Sequence, residues 1–479
     1  MNCTVYNSLT KRNEDIIERN LNWYMCGPTV YDYSHIGHAR NYICNDIIRR
    51  ILEYVGYKVN LVMNITDVDD KIINKSNEIY NDPNKFLEIS KKYEEEFLKD
   101  LKALNVKDPE IITRASQYID EIIEFINGIM KNGYAYESNG SVYFDSQKYY
   151  QKFDDNFQLN LNEESFDQVI LNEKRHAQDF VLWKKSKENE PFWDSPWGIG
   201  RPGWHIECSA MASDIFGESF DIHSGGCDLK SPHHENELKQ ANARFNKCCW
   251  VKYFIHMGHL HIEGLKMSKS LKNFITIKEI LKKYSSNQIK MLFLMNKYSQ
   301  PMNYSEDRLI QVSEILDSFI VLITTFENCN KINFDKFNEK DIEIVNTIKE
   351  TRIEVDNFLK NDFNTPDAIN KLFNLVKVIN IYVKNEYQIT IVRNAINLIK
   401  DYFNVFGLSL NTNKSSNSES DILDSLCKFR DSVRKYAFNN KQYDLLKITD
   451  EVRDIDMPKI NITLEDKSKT ESSWRYSNI

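Results

Sequence analysis

Between residues 21 and 65 the chain runs from a short apolar strand through a breaker and a helix-period segment to a second apolar strand. Leu21-Asn22-Trp23-Tyr24-Met25 reads as a strand that stops at Gly27-Pro28. From about Gly37, Ile43, Ile47, Ile51 and Val55 recur at helical spacing, and Gly56 suits a helix stop. Val59 to Ile65 is nearly all apolar, as a strand covered on both faces must be. Strand, crossover helix and strand imply a parallel sheet that gathers ligands at the carboxyl ends of its strands. The expected fold is therefore α/β, a Rossmann-like parallel-sheet catalytic domain with an insertion, followed by an α-helical bundle and a small C-terminal module.

At 479 residues the chain is too long for one core, and about three domains are expected. The pattern changes from about residue 84, where charged helices such as Lys91 to Leu104 and Tyr118 to Lys131 precede a small strand, Ser141 to Phe144. The expected division is residues 1–115 and 201–265 for the two halves of the catalytic domain, with a connective insertion at 116–200. Residues 266–310 then form a signature-loop and stem-contact region, 311–410 a helical bundle and 421–479 a C-terminal module. In the bundle, Thr365 can cap a helix with Pro366 at its first position, and Ile369, Leu372, Phe373, Val376 and Ile379 form one apolar stripe. Asn411 to Ser420 is a linker by composition.

The nine cysteines are scattered and odd in number, which favours buried thiols or metal ligands over a disulfide framework. No apolar run approaches the roughly 20 residues that span a bilayer, and Met1 to Asn20 lacks the apolar core of a secretion signal. A cytoplasmic protein with no membrane partner is expected. The net charge of −8 argues against an indiscriminate nucleic-acid coat but leaves room for an RNA held by local basic patches.

Four constellations carry chemistry. His35-Ile36-Gly37-His38 falls between the first strand and its helix, where unpaired N–H groups and the positive dipole end receive phosphates. Lys266-Met267-Ser268-Lys269-Ser270 follows Gly264 in a loop, and its lysines can neutralise charge on a leaving pyrophosphate. Seven of the ten histidines lie between His205 and His261, with Cys208 and Cys227 among them, and His233 and Glu237 can share one helix face. Such a mixture of thiol, imidazole and carboxylate suits zinc. However, His234-Glu235-Asn236-Glu237-Leu238 lacks the second histidine of a zincin helix, so spacing alone leaves both the metal and its cysteines open. Gly225-Gly226-Cys227-Asp228 allows close backbone approach beside a carboxylate, although a plain turn is the commoner explanation of such a motif.

His35 to His38 and Lys266 to Ser270 resemble the two signatures of class I aminoacyl-tRNA synthetases. More narrowly, the chain resembles the cysteinyl-tRNA synthetase family over nearly its whole length. The supporting stretches are Gly27 to Asp32, Asn64 to Lys71, Pro202 to Ser209, Pro232 to Glu237 and Asp362 to Ala368. The resemblance implies one zinc per chain on Cys26, Cys208, His233 and Glu237. It places Thr66, Trp204 and His223 in the amino-acid pocket. It implies ATP, as its Mg2+ complex, on His35, His38, Gly225, Asp228 and Lys269, with His35, His38, Lys266 and Lys269 as catalytic residues. Cognate tRNA and L-cysteine are the implied partners, and a monomer is expected. Because zinc takes thiolate far better than hydroxyl, no editing domain is required. Cys227 stands where the family usually has serine and is a competing thiol if it lies near the zinc. Lys272 stands where glycine is common.

Two rivals remain. A ligase of related architecture that joins cysteine to an amino sugar would share the zinc and ATP sites but would not need a module after residue 420. A non-catalytic RNA-binding relative would not need an intact site. In that module Lys428, Arg430, Arg434, Lys435, Trp474 and Arg475 are the expected RNA contacts.

Overall fold

The computed structural model describes residues 2–479 except 154–172, 263, 267–273, 328, 330–335, 410–415, 461, 469, 470 and 477–479. It divides into two compact units, residues 1–409 and 410–479.

The first unit is built on a five-stranded sheet whose pairings are all parallel. Its elements are β1 (Asn20–Met25), α1 (Ile36–Val55), β2 (Lys58–Ile65), β3 (Ile111–Arg114), α2 (Trp204–Phe216), β4 (Phe220–Gly226), α3 (Glu235–Phe245) and β5 (Val251–Met257). The strand order is β5-β4-β1-β2-β3, so β1 and β4 meet at the point where the order reverses. Met25 is level with both Ser224 and Met63, so the carboxyl ends of the three central strands open on one edge. The apolar run of β2 is explained by burial of Leu61 to Ile65 on both faces. Gly56 ends α1 in the left-handed region at φ 99°, donating to Glu53. Residues 84–115, compositionally unlike what precedes them, still contribute the edge strand β3. Beyond it, helix Ile119–Lys131 leads to a four-stranded antiparallel sheet, Ala135–Ser138, Ser141–Phe144, Phe180–Lys185 and Gly200–Pro202.

Four helices, Glu306–Glu327, Glu339–Lys360, Thr365–Tyr382 and Ile389–Val405, follow the α/β part. Helix Thr365–Tyr382 starts one residue earlier than its cap chemistry suggests. Asn364 is the cap residue, and the Thr365 hydroxyl instead donates to the Leu294 carbonyl at 2.8 Å. The expected stripe is buried at Ile369, Leu372, Val376 and Ile379, with Phe373 at its margin. Among the described residues one helix, Glu306–Phe326, is long and apolar enough by length and composition to cross a membrane, although Glu314 and Asp317 interrupt its apolar run. Its buried Leu309, Val312, Leu316, Phe319 and Ile323 recur at bundle spacing, and the Phe319 ring meets Phe403 at 5.0 Å, as in a bundle core helix.

The second unit packs helix Ser416–Asn439 and helix Tyr443–Glu451 with the hairpin Ile462–Ser468/Glu471–Tyr476. Its core is Leu423, Cys427, Met457, Ile462 and Leu464. Of the expected linker, residues 411–415 lie outside the described residues, and Ser416 to Ser420 already belong to the helix. Ser and Asn ahead of Glu419 and Asp421 favour a helix start as readily as a linker. Arg430 and Arg434, expected on RNA, are buried instead. Arg430 pairs with Asp466 at 2.5 Å and Arg434 with Asp450 at 2.6 Å. The Trp474 indole donates to Asp424 at 2.7 Å. Lys428 and Lys435 remain exposed, and the Arg475 side chain lies outside the described residues.

Candidate active site and metal centre

An open cleft of about 330 Å³ lies along the carboxyl ends of β1, β2 and β4, lined among others by Cys26, His35, His38, Thr66, Trp204 and Asp228. The chain turns at Gly27 because nothing larger fits: a Cβ there would sit 1.6 Å from the Asn64 carbonyl oxygen. Asn64 Oδ1 also accepts from the Gly27 N–H at 2.9 Å. Cys26, one residue past β1, is held by its own N–H to the Ser224 carbonyl at 2.9 Å.

At one end of the cleft the His35 ring caps α1. Its Nδ1 accepts from the N–H groups of Gly37 at 3.1 Å and His38 at 3.3 Å, while His38 Nδ1 accepts from the His35 N–H at 3.3 Å. The Ile36 N–H is taken by the Ile275 carbonyl at 3.0 Å. The helix N-terminus therefore has its first N–H groups satisfied internally, contrary to the expectation that they receive an anion. With both Nδ1 atoms accepting, each neutral ring carries its proton on Nε2. The rings stack at 3.7 Å. Burial lowers His35 to about 4 and His38 to about 3, so both are neutral donors near pH 7.

At the other end, four side chains from three segments converge. Cys26 Sγ and Cys208 Sγ, the latter on α2, are 4.0 Å apart. His233, just ahead of α3, brings Nε2 to 3.0 Å from Glu237 Oε1 in the first turn of α3. The ligand atoms of Cys26, Cys208, His233 and Glu237 all lie within 4.8 Å of one another. Glu237 Oε1 is buried and accepts no hydrogen bond. His233 Nδ1 is engaged by His205 Nδ1 at 2.9 Å, which leaves Nε2 for a metal. Two thiols, an imidazole and an unsatisfied carboxylate oxygen facing one point fit zinc. Burial pushes Cys26 well up. Cys208, pulled down by its hydrogen bond with Cys26, is still raised by burial, so a bound cation is what would hold both as thiolates. A second grouping, Cys26, His223, His234 and Glu237, is equally compact. There, however, His223 Nε2 is already 2.8 Å from Glu237 Oε2, and His234 Nε2 is 3.3 Å from Cys26 Sγ. The first set differs in that Glu237 Oε1 makes no hydrogen bond and His233 keeps Nε2 for a metal.

The remaining candidates divide. Thr66 and Trp204 line the cleft, and the Trp204 ring stacks on His233 at 4.3 Å. His223 does not reach the cleft wall: fully buried, it spans the Tyr24 carbonyl at 3.1 Å and Glu237. Gly225 makes room for the Leu229 and His234 side chains, which a Cβ would meet at 2.9 and 3.1 Å. Cys227 lies apart from the four-ligand cluster and groups with Asp228 and His259. The backbone of Lys266 forms the short strand Leu265–Lys266, while its side chain and all of Lys269 lie outside the described residues. Sequence reasoning gave no role to His205 or Asn64. The crowding of histidines hinted at His205, and both residues fall within stretches that carry the family resemblance, but none of these signals gave either one a role.

Residues 12–314 match the family of class I (C) tRNA synthetase catalytic domains, and residues 354–411 match the DALR domain. The chain is 43% identical to the cytoplasmic cysteine–tRNA ligase of Dictyostelium discoideum over 97% of its own length and 76% of the relative. It is 42% identical to the cysteine–tRNA ligase of Encephalitozoon cuniculi, covering 92% of each chain. It is 40% identical to that of Pyrococcus abyssi over the full length of both. Among solved structures, the Mycobacterium tuberculosis methionyl-tRNA synthetase bound to methionyl-adenylate shares the fold, with a TM-score of 0.61 at 13% identity over 81% of this chain and 90% of that one. A switch-point cleft with paired histidines at one end and a thiol-rich cluster at the other thus occurs on a chain that belongs to the cysteine–tRNA ligase family of class I aminoacyl-tRNA synthetases.

Proposed function

We propose that this protein joins L-cysteine to its cognate tRNA at the expense of ATP. The observation that carries this reading is the placement of Cys26, Cys208 and His233 on the wall of the cleft that His35 and His38 also line, with the buried Glu237 carboxylate gathered among their ligand atoms. The cysteine carboxylate attacks the α-phosphorus of ATP, and the bond to pyrophosphate breaks. A hydroxyl of the tRNA then attacks the activated carbonyl and displaces AMP. Zinc bound to the four-residue cluster would supply a soft Lewis acid that prefers thiolate to hydroxyl. His35 and His38 donate Nε2–H to the phosphates of ATP as preorganised neutral donors. Lys266 and Lys269 neutralise the departing pyrophosphate together with Mg2+, and Asp228, exposed at the rim, takes a ribose hydroxyl. Thr66 and Trp204 hold the amino acid. His223 acts one layer behind by holding Glu237 in place.

For the tRNA, residues 311–410 serve as the spacer and the unit at 410–479 as the anticodon reader. The surface that supports the second assignment is not the one expected from charge alone. Phe429 and Tyr436, 67% and 56% exposed, are next to the exposed Lys428 and Lys435 on one helix. Aromatic rings flanked by cations suit unpaired bases. This unit also favours tRNA over an amino-sugar acceptor. Pyrophosphate exchange with cysteine and serine in parallel tests the activation step: exchange should depend on cysteine and be nearly absent with serine. Lys269→Ala should lower kcat by about 10²–10³ with a smaller change in KM for cysteine. Truncation after Ser409 should preserve exchange and abolish most tRNA charging. Equal use of serine, or charging by the truncated chain, would contradict the respective assignment.

A further inference from the structure

Thr66 follows β2 with its backbone pinned on both sides. Its N–H donates to the Pro28 carbonyl at 3.1 Å, and its carbonyl accepts from the Val30 N–H at 3.2 Å. Its hydroxyl has one proton and two lone pairs to place. Asn64 Oδ1 is occupied by the Gly27 N–H, so the amide nitrogen is the end of Asn64 turned towards Thr66, and it donates to Oγ1 at 3.4 Å. The Thr66 hydroxyl in turn donates to Glu207 Oε2 at 3.2 Å. Glu207 is only 1% exposed and reaches Thr66 from the first turn of α2, one residue before Cys208. A carboxyl group keeps an acceptor oxygen whether or not it carries a proton. With its proton directed to Glu207 and one lone pair met by Asn64, Thr66 has a single lone pair left, and Thr66 lines the cleft.

We propose that Glu207 is a positioning residue that turns the Thr66 proton away from the cleft, so that the free lone pair accepts from the α-ammonium of the amino-acid substrate. This rests on the function proposed above and adds a second recognition element to it. The cleft then reads the amine through Thr66 as well as the thiol through the metal cluster. An oriented acceptor repels a carboxylate, so it also fixes which group of the amino acid lies beside β2.

The test uses full-length protein, cysteine-dependent pyrophosphate exchange, and calorimetric binding of two thiol analogues. Cysteamine keeps the amine, and 3-mercaptopropionate lacks it. Glu207→Met removes the acceptor at similar length, and Glu207→Gln retains one. Glu207→Met should raise KM for cysteine and Kd for cysteamine about tenfold each, leaving kcat, KM for ATP and Kd for 3-mercaptopropionate unchanged. Glu207→Gln should stay near wild type. Thr66→Val should discriminate the analogues in the same way, and the double variant Thr66→Val/Glu207→Met should be no worse than Thr66→Val alone. If Glu207→Met does not fold, Thr66→Val and Glu207→Gln decide between them. Equal weakening of both analogues in Thr66→Val, or additive losses in the double variant, would overturn the proposal. Wild-type protein that neither exchanges pyrophosphate with cysteine nor binds either analogue would overturn the function itself, a different pattern from failure of Glu207 alone.

Discussion

Cys26 Sγ and Cys208 Sγ lie 4.0 Å apart, although 182 residues separate them in the chain. Cys26 is placed by the end of β1 and Cys208 by the second turn of α2, so the pair exists only once the insertion has returned the chain to the sheet. Both are buried, as are His233 and Glu237.

Purified protein should accordingly carry about one zinc per chain by elemental analysis. Cys208→Ala or His233→Ala should lose most of it and bind added zinc at least tenfold more weakly in competition with a chelator. His205→Ala should weaken zinc less, because it removes only the hydrogen bond that orients His233. Full activity in metal-free protein would refute the metal assignment.

Gly27→Ala should be strongly destabilising. The new Cβ would lie 1.6 Å from a backbone oxygen on the neighbouring strand end, where no side chain can move aside. A loss of about 3 kcal/mol in denaturant unfolding is expected. At Gly56, where φ is 99° and a Cβ would meet nothing within 4 Å, alanine should cost only about 1 kcal/mol of backbone strain. Comparable midpoints for the two variants would contradict this.

Acidification should destabilise the first unit through α1. Burial holds His35 at about 4 and His38 at about 3, whereas an unfolded imidazole titrates near 6.5. Between these values the unfolded chain binds protons that the folded chain refuses. The stability is therefore fully present above about pH 6.5 and is lost as pH falls towards 4 and 3. Urea midpoints taken from pH 7 to pH 4.5 should decline. His38→Gln, which can still reach the His35 N–H as a capping box does, should flatten the decline. An unchanged slope in that variant would remove His38 from the account.

In the second unit, Arg430→Ala should act on stability before it acts on RNA. The Arg430 guanidinium is 2% exposed and pairs with Asp466, which is itself 19% exposed. Breaking such a pair from one side costs about 3 kcal/mol. Asp466→Asn should reproduce most of the effect, whereas Lys428→Ala, on the exposed face, should leave unfolding unchanged and weaken tRNA binding. A stable Arg430→Ala protein with selectively impaired tRNA binding would restore the arginine to the RNA surface.

The sequence by itself determined whatever depends on neighbours a few positions away. The apolar runs of β1 and β2, the helical spacing of Ile43, Ile47 and Ile51, the Gly56 stop and the stripe from Ile369 to Ile379 all follow from local periodicity. The signature motifs were legible for the same reason, since each is a short contiguous stretch. Tertiary structure decided which atoms of those motifs are free. His35 spends its Nδ1 on the helix N–H groups and so leaves only Nε2 for a phosphate. His223 faces Glu237 instead of the cleft. Cys227 groups with Asp228 and His259 and belongs to neither cluster that contains Cys26. Arg430 and Arg434 turn inward to aspartates that arrive later in the chain. A side chain's last hydrogen bond depends on which distant segment is packed beside it, and periodicity carries no information about that segment.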